Sequence, residues 1–167
     1  LPLIITAGIG IDLVTIDYII NWILEKNPAP DITFLHGNNA YPTPLTDVCL
    51  GQIKKIKNMK YPCSIDVGLS DHSEGILVPP VAVGMGASTI EKHFTLDRSL
   101  IGPDHGFAIE PIELIQMVKN IRLVETCLLE KVISISNSEK AFIKCMRSVV
   151  TKRSLKRGDV LTLDNIT

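Results

Sequence analysis

Four times in succession the chain writes a short apolar run, a turn and an amphipathic stretch. Leu3 to Thr6, Ile32 to His36, Ser64 to Val67 and Ser88 to Glu91 are β-branched or apolar runs of the kind buried on both faces of a parallel sheet. Each is followed by a helix pattern. The first begins near Asp12, carries Leu13, Ile16, Ile20 and Ile23 at helical spacing, and stops at Asn27-Pro28-Ala29-Pro30, because proline cannot continue the backbone ladder. Thr46 or Asp47 is the expected cap of the second, whose Leu50, Ile53 and Ile56 face inward. The third takes Pro79-Pro80 in its first turn and packs through Val81 and Met85. Pro111 opens the fourth, with Leu114, Ile115, Val118, Ile121, Val124 and Leu128 as its apolar stripe. Strand-helix units in series imply a parallel sheet with right-handed crossovers. Four of them are half of an eight-unit barrel or a small open sheet.

The pattern then breaks. Ser134 to Glu139 is polar and reads as a linker, Arg147 to Thr151 alternates, and Lys156-Arg157-Gly158-Asp159 signals a turn before Val160-Leu161-Thr162. This looks like the opening of a small β-rich domain. The expected organisation is an α/β unit over 1–132, a linker over 133–146, and the β-rich start over 147–167. Leu1 to Thr6 lacks a charged leader and is too short to span a bilayer, so it reads as a strand already under way and the chain as a fragment. With 167 residues and a formal net charge of −1, no broad field attracts nucleic acid or anionic lipid. Cys49, Cys63, Cys127 and Cys145 form no CxxC pair, which favours buried, reduced thiols in a cytoplasmic protein over disulfides.

The chemistry gathers at strand ends. Val67-Gly68-Leu69-Ser70-Asp71-His72 and Ile90-Glu91-Lys92-His93-Phe94 each pass from apolar residues into ionisable ones, as active-site strands of an α/β barrel do. His72 and His93 are candidate ligands of one Mn, Zn, Fe or Co ion, with positions left open for substrate. The alternative is a pair of hydrogen-bonded core histidines. Asp71 and Glu91 are candidate acceptors for those imidazoles or further ligands, or else solvated loop carboxylates. Ser70 and Asn39 offer donors to a phosphate or carboxylate. Lys92 alternates away from its neighbours and is expected to face outward. Gly102-Pro103-Asp104-His105 is a rigid turn bearing an acid and an imidazole, either a lid over the site or a plain surface turn.

Asn39-Ala40-Tyr41-Pro42-Thr43-Pro44, Gly68-Leu69-Ser70-Asp71-His72, Ile90 to Asp97 and Gly102 to His105, in that order and spacing, resemble the sialic acid (nonulosonate) synthases over nearly the whole chain. The resemblance implies the C-terminal half of a (β/α)8 TIM barrel followed by the start of an antifreeze-like domain. It implies condensation of phosphoenolpyruvate with an N-acylated mannosamine-type sugar, with phosphate leaving by C–O cleavage, a divalent metal, Mn²⁺ foremost, and a domain-swapped homodimer when full length. Carried over, His72 and His93 correspond to metal ligands, and Asn39 and Ser70 to phosphoenolpyruvate contacts. Tyr41 and Asp104 correspond to sugar contacts, Glu91 to an acidic position beside the metal, and Thr6 to a small hydroxyl at the phosphate end. Gly37 stands where many members have Cys, and Leu69 where many have Tyr. The family's phosphate-binding lysines belong to the barrel half that precedes this region, and an arginine from the second domain reaches the partner's site. Two other functions remain open: a non-catalytic half-barrel serving assembly or binding, and another metal-dependent barrel aldolase or lyase.

Overall fold

The computed structural model describes residues 1–130 and 134–167, in two compact units, Leu1–Leu129 and Glu130–Thr167. The expected boundary at 132/133 lies outside the described residues.

The first unit holds four strands, β1 (Leu3–Ala7), β2 (Ile32–Gly37), β3 (Ile65–Asp71) and β4 (Thr89–Lys92), in the order β1-β2-β3-β4. All three pairings are parallel, with Ile5 opposite Phe34, Phe34 opposite Val67 and Leu69 opposite Ile90. Sequential parallel neighbours are the order that strand-helix repeats dictate. β3 runs four residues beyond its expected end, straight through the Gly68-to-Asp71 motif.

Four helices connect and cover the sheet: α1 (Leu13–Lys26), α2 (Gly51–Lys57), α3 (Val78–Gly84) and α4 (Pro111–Cys127). Asp12 caps α1, accepting from the amide of Thr15 at 2.8 Å, which holds its carboxyl below the ordinary range. Ile16, Ile20 and Ile23 are then buried, as their spacing requires. Neither Thr46 nor Asp47 caps α2. Leu45–Asp47 form a separate 3-10 turn, and α2 starts after Leu50 with no side-chain cap. The stripe of α4 also differs. Met117 is buried and Leu114, Ile121 and Val124 are half-buried, whereas Ile115, Val118 and Leu128 are exposed. One helix face of 3.6-residue period admits only about half of an apolar set that wide.

Alternation along the strands divides the sheet into two faces. Ile5, Ala7, Phe34, Val67, Leu69 and Ile90 point to the helices and form one core with Ile16, Ile20, Ile53, Ile56, Val78 and Ala82. The other face carries the alternate residues, among them Ile4, Thr6, Leu35, Gly68, Ser70 and Glu91. There Ile4 is 64 % exposed on the edge strand. Leu69, one of the departures from the family pattern, lies in the helix-facing core.

The second unit carries a 3-10 turn at Lys140–Cys145 and a short antiparallel pairing in which Thr151 bridges Ile166. The strand at Thr151 pairs with the terminal segment through Val150–Thr167 and Lys152–Asn165 bonds. Asn165 accepts from the Thr162 amide and donates to Val160 O, bending the stretch before it into a turn. The expected burial of the cysteines also fails. Cys49, Cys127 and Cys145 are exposed and Cys63 is partly so, all as free thiols. They occupy turns and helix ends rather than inward faces. Among the described residues no helix is long and apolar enough to cross a membrane.

Gly68 has a specific steric duty. A Cβ there would overlap Leu35 Cδ2 and stand 2.5 Å from Thr89 O, a backbone atom fixed by the ladder. Gly68→Ala should therefore lower stability by at least about 2 kcal/mol. Chemical denaturation checks it, and a wild-type midpoint would show that β3 and β4 are free to part.

Candidate functional site

The last turn of β3 and β4 sorts side chains by face. Ser70 lies opposite Glu91 and Asp71 opposite Lys92. Ser70 and Glu91 are on the face away from the helices, and Ser70 Oγ donates to Glu91 Oε1 at 2.6 Å. His72 and His93, one residue beyond each strand, fall on that same face. Their ring centroids are 5.3 Å apart and nearly perpendicular.

The loop Gly37 to Pro44 docks against His72 at two points. His72 Nδ1 lies 2.6 Å from Asn38 O, and Thr43 N donates to His72 O at 2.9 Å. A carbonyl oxygen only accepts, so Nδ1 carries a proton, and in the neutral ring Nε2 is the nitrogen that keeps its lone pair. Ser70 Oγ is 3.5 Å from Nε2, but its single proton is engaged by the shorter bond to Glu91. The lone pair of Nε2 is therefore available to a ligand. The loop holds itself through short polar bonds: Asn38 Oδ1 accepts from the Ala40 amide at 2.8 Å, and Thr43 Oγ1 donates to Ala40 O at 2.7 Å.

Tyr41 projects from this loop over both imidazoles, with centroids 4.2 Å from His72 and 5.5 Å from His93. Phe107 closes the other side, 4.9 Å from His93 and 6.1 Å from Tyr41. Asn39 is exposed and its amide lies over Gly8, where a Cβ would come within 2.8 Å of Asn39 Oδ1. Its Nδ2 is 3.5 Å from the Tyr41 hydroxyl. Asp104 Oδ2 stands 3.8 Å from His93 Nδ1, with the side chain 58 % exposed.

The segment carrying Asp104 and Phe107 is closed at its base by the Phe94–Ile109 bridge. Thr95 Oγ1 pairs with His105 Nδ1 at 2.7 Å, tying the Gly-Pro turn back to the strand exit. Arg98 donates from its amide to Glu110, from Nε to Ala108 O and from Nη2 to Glu113. Glu113 also accepts from the Glu110 amide at the start of α4. The Arg98 guanidinium, with help from that amide, holds the Glu113 carboxyl below its ordinary range.

The structure thus brings Asn39, Tyr41, Ser70, His72, Glu91, His93 and Asp104 to one end of the sheet. Thr6 is exposed on the same face of β1, beside Gly37 but outside the aromatic-imidazole cluster. Two expectations are corrected. Asp71 accepts no hydrogen bond from either imidazole. It points to the helix side and pairs with Lys92 Nζ at 2.7 Å. Lys92 alternates as expected but is not outward, because its side chain is only 3 % exposed. A charged residue at a strand end is hidden here because its partner is directly opposite in register. Sequence reasoning missed the Asn38 carbonyl, Thr43 and Phe107. An Asn-Asn pair before a Pro-bounded loop hints at the first, but a backbone acceptor has no residue-type signature. Among the described residues no group of three His, Cys, Asp or Glu is assembled as a metal cage. A cavity of about 570 Å³ lined by residues including Asp12, His36, Asn38, Asp47 and Lys55 lies beside α1 and α2, and neither site imidazole lines it.

A sequence model described as the NeuB family matches residues 1–132. The chain is 46 % identical over 145 residues to an uncharacterized protein of Methanocaldococcus jannaschii, a match covering 86 % of this chain and 42 % of that protein. It is 38 % identical over 148 residues to N,N'-diacetyllegionaminic acid synthase of Campylobacter jejuni, covering 87 % and 43 %. Among solved structures it superposes on an N-acetylneuraminic acid synthetase from Leptospira borgpetersenii with a TM-score of 0.74 at 31 % identity, covering 87 % of this chain and 49 % of that one. The chain spans less than half the length of these relatives.

The Arg98–Glu113 pair gives an acid-limb prediction. Because the folded carboxyl titrates low, its contribution is complete above the unfolded glutamate value of about 4.3 and is lost as pH falls through the folded value. Thermal midpoints measured against pH should fall less steeply below that value for Glu113→Gln than for the wild type. The difference should be small, since both side chains reach solvent. Parallel profiles would mean the pair adds nothing to stability.

Proposed function

The chain belongs to the NeuB family, and from that premise we propose that the intact protein condenses phosphoenolpyruvate with an N-acylated mannosamine-type sugar, forming a nonulosonic acid and releasing phosphate. The relatives support the class of reaction through their names as sialic and legionaminic acid synthases. The observation that carries the reading on this chain is the pair His72 and His93 at neighbouring strand ends, roofed by Tyr41 and flanked by Asp104.

The donor set suits a divalent ion of the Mn²⁺ type. Two neutral imidazoles, one with its tautomer fixed by the Asn38 carbonyl, leave a metal several open positions. His72 Nε2 and the His93 ring are the groups that would hold it. When bound, such an ion supplies Lewis acidity toward the sugar's open-chain aldehyde.

The remaining roles fall to the chain's own residues. Asp104 accepts hydrogen bonds from sugar hydroxyls, and Tyr41 gives the sugar an amphipathic wall. Asn39 and Ser70 contact phosphoenolpyruvate, Asn39 through its amide donor and Ser70 through its hydroxyl oxygen, with Thr6 further along the same face toward the phosphate. Glu91, which already accepts a hydrogen bond from the Ser70 hydroxyl, is the acidic group at that end, for proton transfer as water adds at C2. C3 of phosphoenolpyruvate bonds to the aldehyde carbon as the carbonyl π bond opens and its oxygen takes a proton; water adds its oxygen to C2 with loss of a proton, and the C–O bond to phosphate breaks as C2 becomes the ketone. We read residues 147–167 as the entry to an antifreeze-like domain and the intact protein as a cytoplasmic homodimer.

The test is incubation of the intact protein with phosphoenolpyruvate, N-acetylmannosamine or its 2,4-diacetamido analogues, and Mn²⁺. Nonulosonic acid and inorganic phosphate should appear together. Aldol products without phosphate release would point instead to a metal-dependent barrel aldolase.

Two variants probe the roles. Chelation should abolish turnover and Mn²⁺ restore it, while His93→Ala should lose both bound metal and rate. A His93→Ala protein that keeps its metal content and rate would refute the ligand assignment. Asp104→Ala should raise KM for the sugar by roughly ten- to a hundred-fold, the equivalent of about 1.5–3 kcal/mol for a lost charge-assisted hydrogen bond. Phosphoenolpyruvate KM and metal content should stay near wild type. Loss of metal would make Asp104 a ligand, and unchanged kinetics would make the turn a surface loop.

A further inference from the structure

Directly behind the imidazoles is a buried ion pair that the proposed reaction does not use. Lys92 and Asp71 have side chains only 3 % and 1 % exposed. They form the last rung of the β3–β4 ladder, so the next residue on each strand is a site histidine. Lys92 Nζ donates to Asp71 Oδ2 at 2.7 Å and to Ser73 O at 2.6 Å. Asp71 Oδ1 accepts from the Ser73 amide at 3.0 Å and from Ser73 Oγ at 2.7 Å. His72 is thus bracketed, since the residues before and after it are both fastened to one ammonium that belongs to the other strand.

Desolvating two charges is costly, and a buried pair is weak evidence for stability by itself, because apolar residues of similar volume often serve as well. What the pair supplies that apolar residues cannot is direction. Two oxygens around a single nitrogen, Asp71 Oδ2 and Ser73 O, fix the turn of backbone that aims the ring of His72. The same nitrogen fixes the strand end from which His93 departs. The opposite side of His72 is held by Asn38 O and Thr43 N, so the imidazole is clamped between a polar loop and a buried charge.

We propose that Lys92 is a positioning residue: with Asp71 and Ser73 it sets the direction of His72 and its distance from His93, and so the affinity of the pair for a divalent cation. This rests on the reading of His72 and His93 as metal ligands, and the experiment keeps the two separate.

The probe is Co²⁺, titrated into the metal-free intact protein and followed by its visible absorption, which reports ligand geometry independently of turnover. The variants are Lys92→Met, Ser73→Ala, the charge-neutral double variant Asp71→Asn/Lys92→Met, and His72→Ala. Ile20→Val serves as a control that loosens the core far from the site. Lys92→Met and the double variant should weaken Co²⁺ binding by about ten- to a hundred-fold, the range for residues that orient ligands, with an altered spectrum. Ser73→Ala should weaken it less, and Ile20→Val should lower the melting temperature without changing the Co²⁺ affinity or spectrum. His72→Ala should abolish the signal. If Lys92→Met fails to fold, the double variant and Ser73→Ala decide. If His72→Ala binds Co²⁺ like the wild type, the ligand reading fails. If His72→Ala loses binding while the folded lysine variants match the wild type in affinity and spectrum, the positioning role alone is overturned.

Discussion

Two consecutive rungs of one parallel ladder carry opposite chemistry on opposite faces. Ser70 and Glu91 meet on the side away from the helices, and Asp71 and Lys92 meet on the side toward them. The period of two along each strand makes this separation absolute. A slip of β4 by one residue against β3 would turn Lys92 into the site and Glu91 toward the apolar core, parting each from its partner on β3. The register is held from beneath by Gly68, whose missing side chain lets Leu35 and Thr89 close over the strand. Every later feature of the site, including the separation of the two imidazoles, inherits its position from that register.

The groups around the imidazoles come from segments of quite different stiffness. His72 is fastened on both sides, by backbone groups of the Gly37 to Pro44 loop and by the buried pair. Tyr41 and Asn39 sit at the exposed tip of that loop and make only weak polar contact with each other. Asp104 is exposed as well, carried by a turn whose footing is the Thr95–His105 bond and the Arg98 fan onto the start of α4. The order of rigidity follows burial. His72 is fixed, and groups that would meet a sugar are open to solvent, where a substrate can displace water from them.

The helix-facing core and the site make different demands on sequence. The core needs only apolar residues of suitable volume at the right period, and Phe34, Val67, Leu69, Ile16 and Ile20 meet that demand directly. The site needs particular atoms at particular distances. Two of its supports, the Asn38 carbonyl and the Thr43 amide, are backbone groups. Substitution at those positions would change the support only through loop conformation.

The sequence alone determined the succession of strands and helices, since apolar period and proline placement act locally. It also determined which strand ends carry polar groups, and the motif blocks pointed to the synthase resemblance. It misjudged what depends on neighbours distant in the chain. Lys92 looked solvent-facing because nothing local reveals that Asp71, twenty-one residues earlier, lies directly opposite it. Thr46 and Asp47 looked like helix caps because their side chains suit that role, but the 3-10 turn places them before the helix begins. Phe107 carries no local signal of its place, and only the fold of its loop sets it against His93. The half-stripe of α4 that stays exposed could not be told from the half that is buried. Tertiary structure decided these points because burial and pairing are set by register and docking between segments, and a chain read residue by residue carries period but not partner.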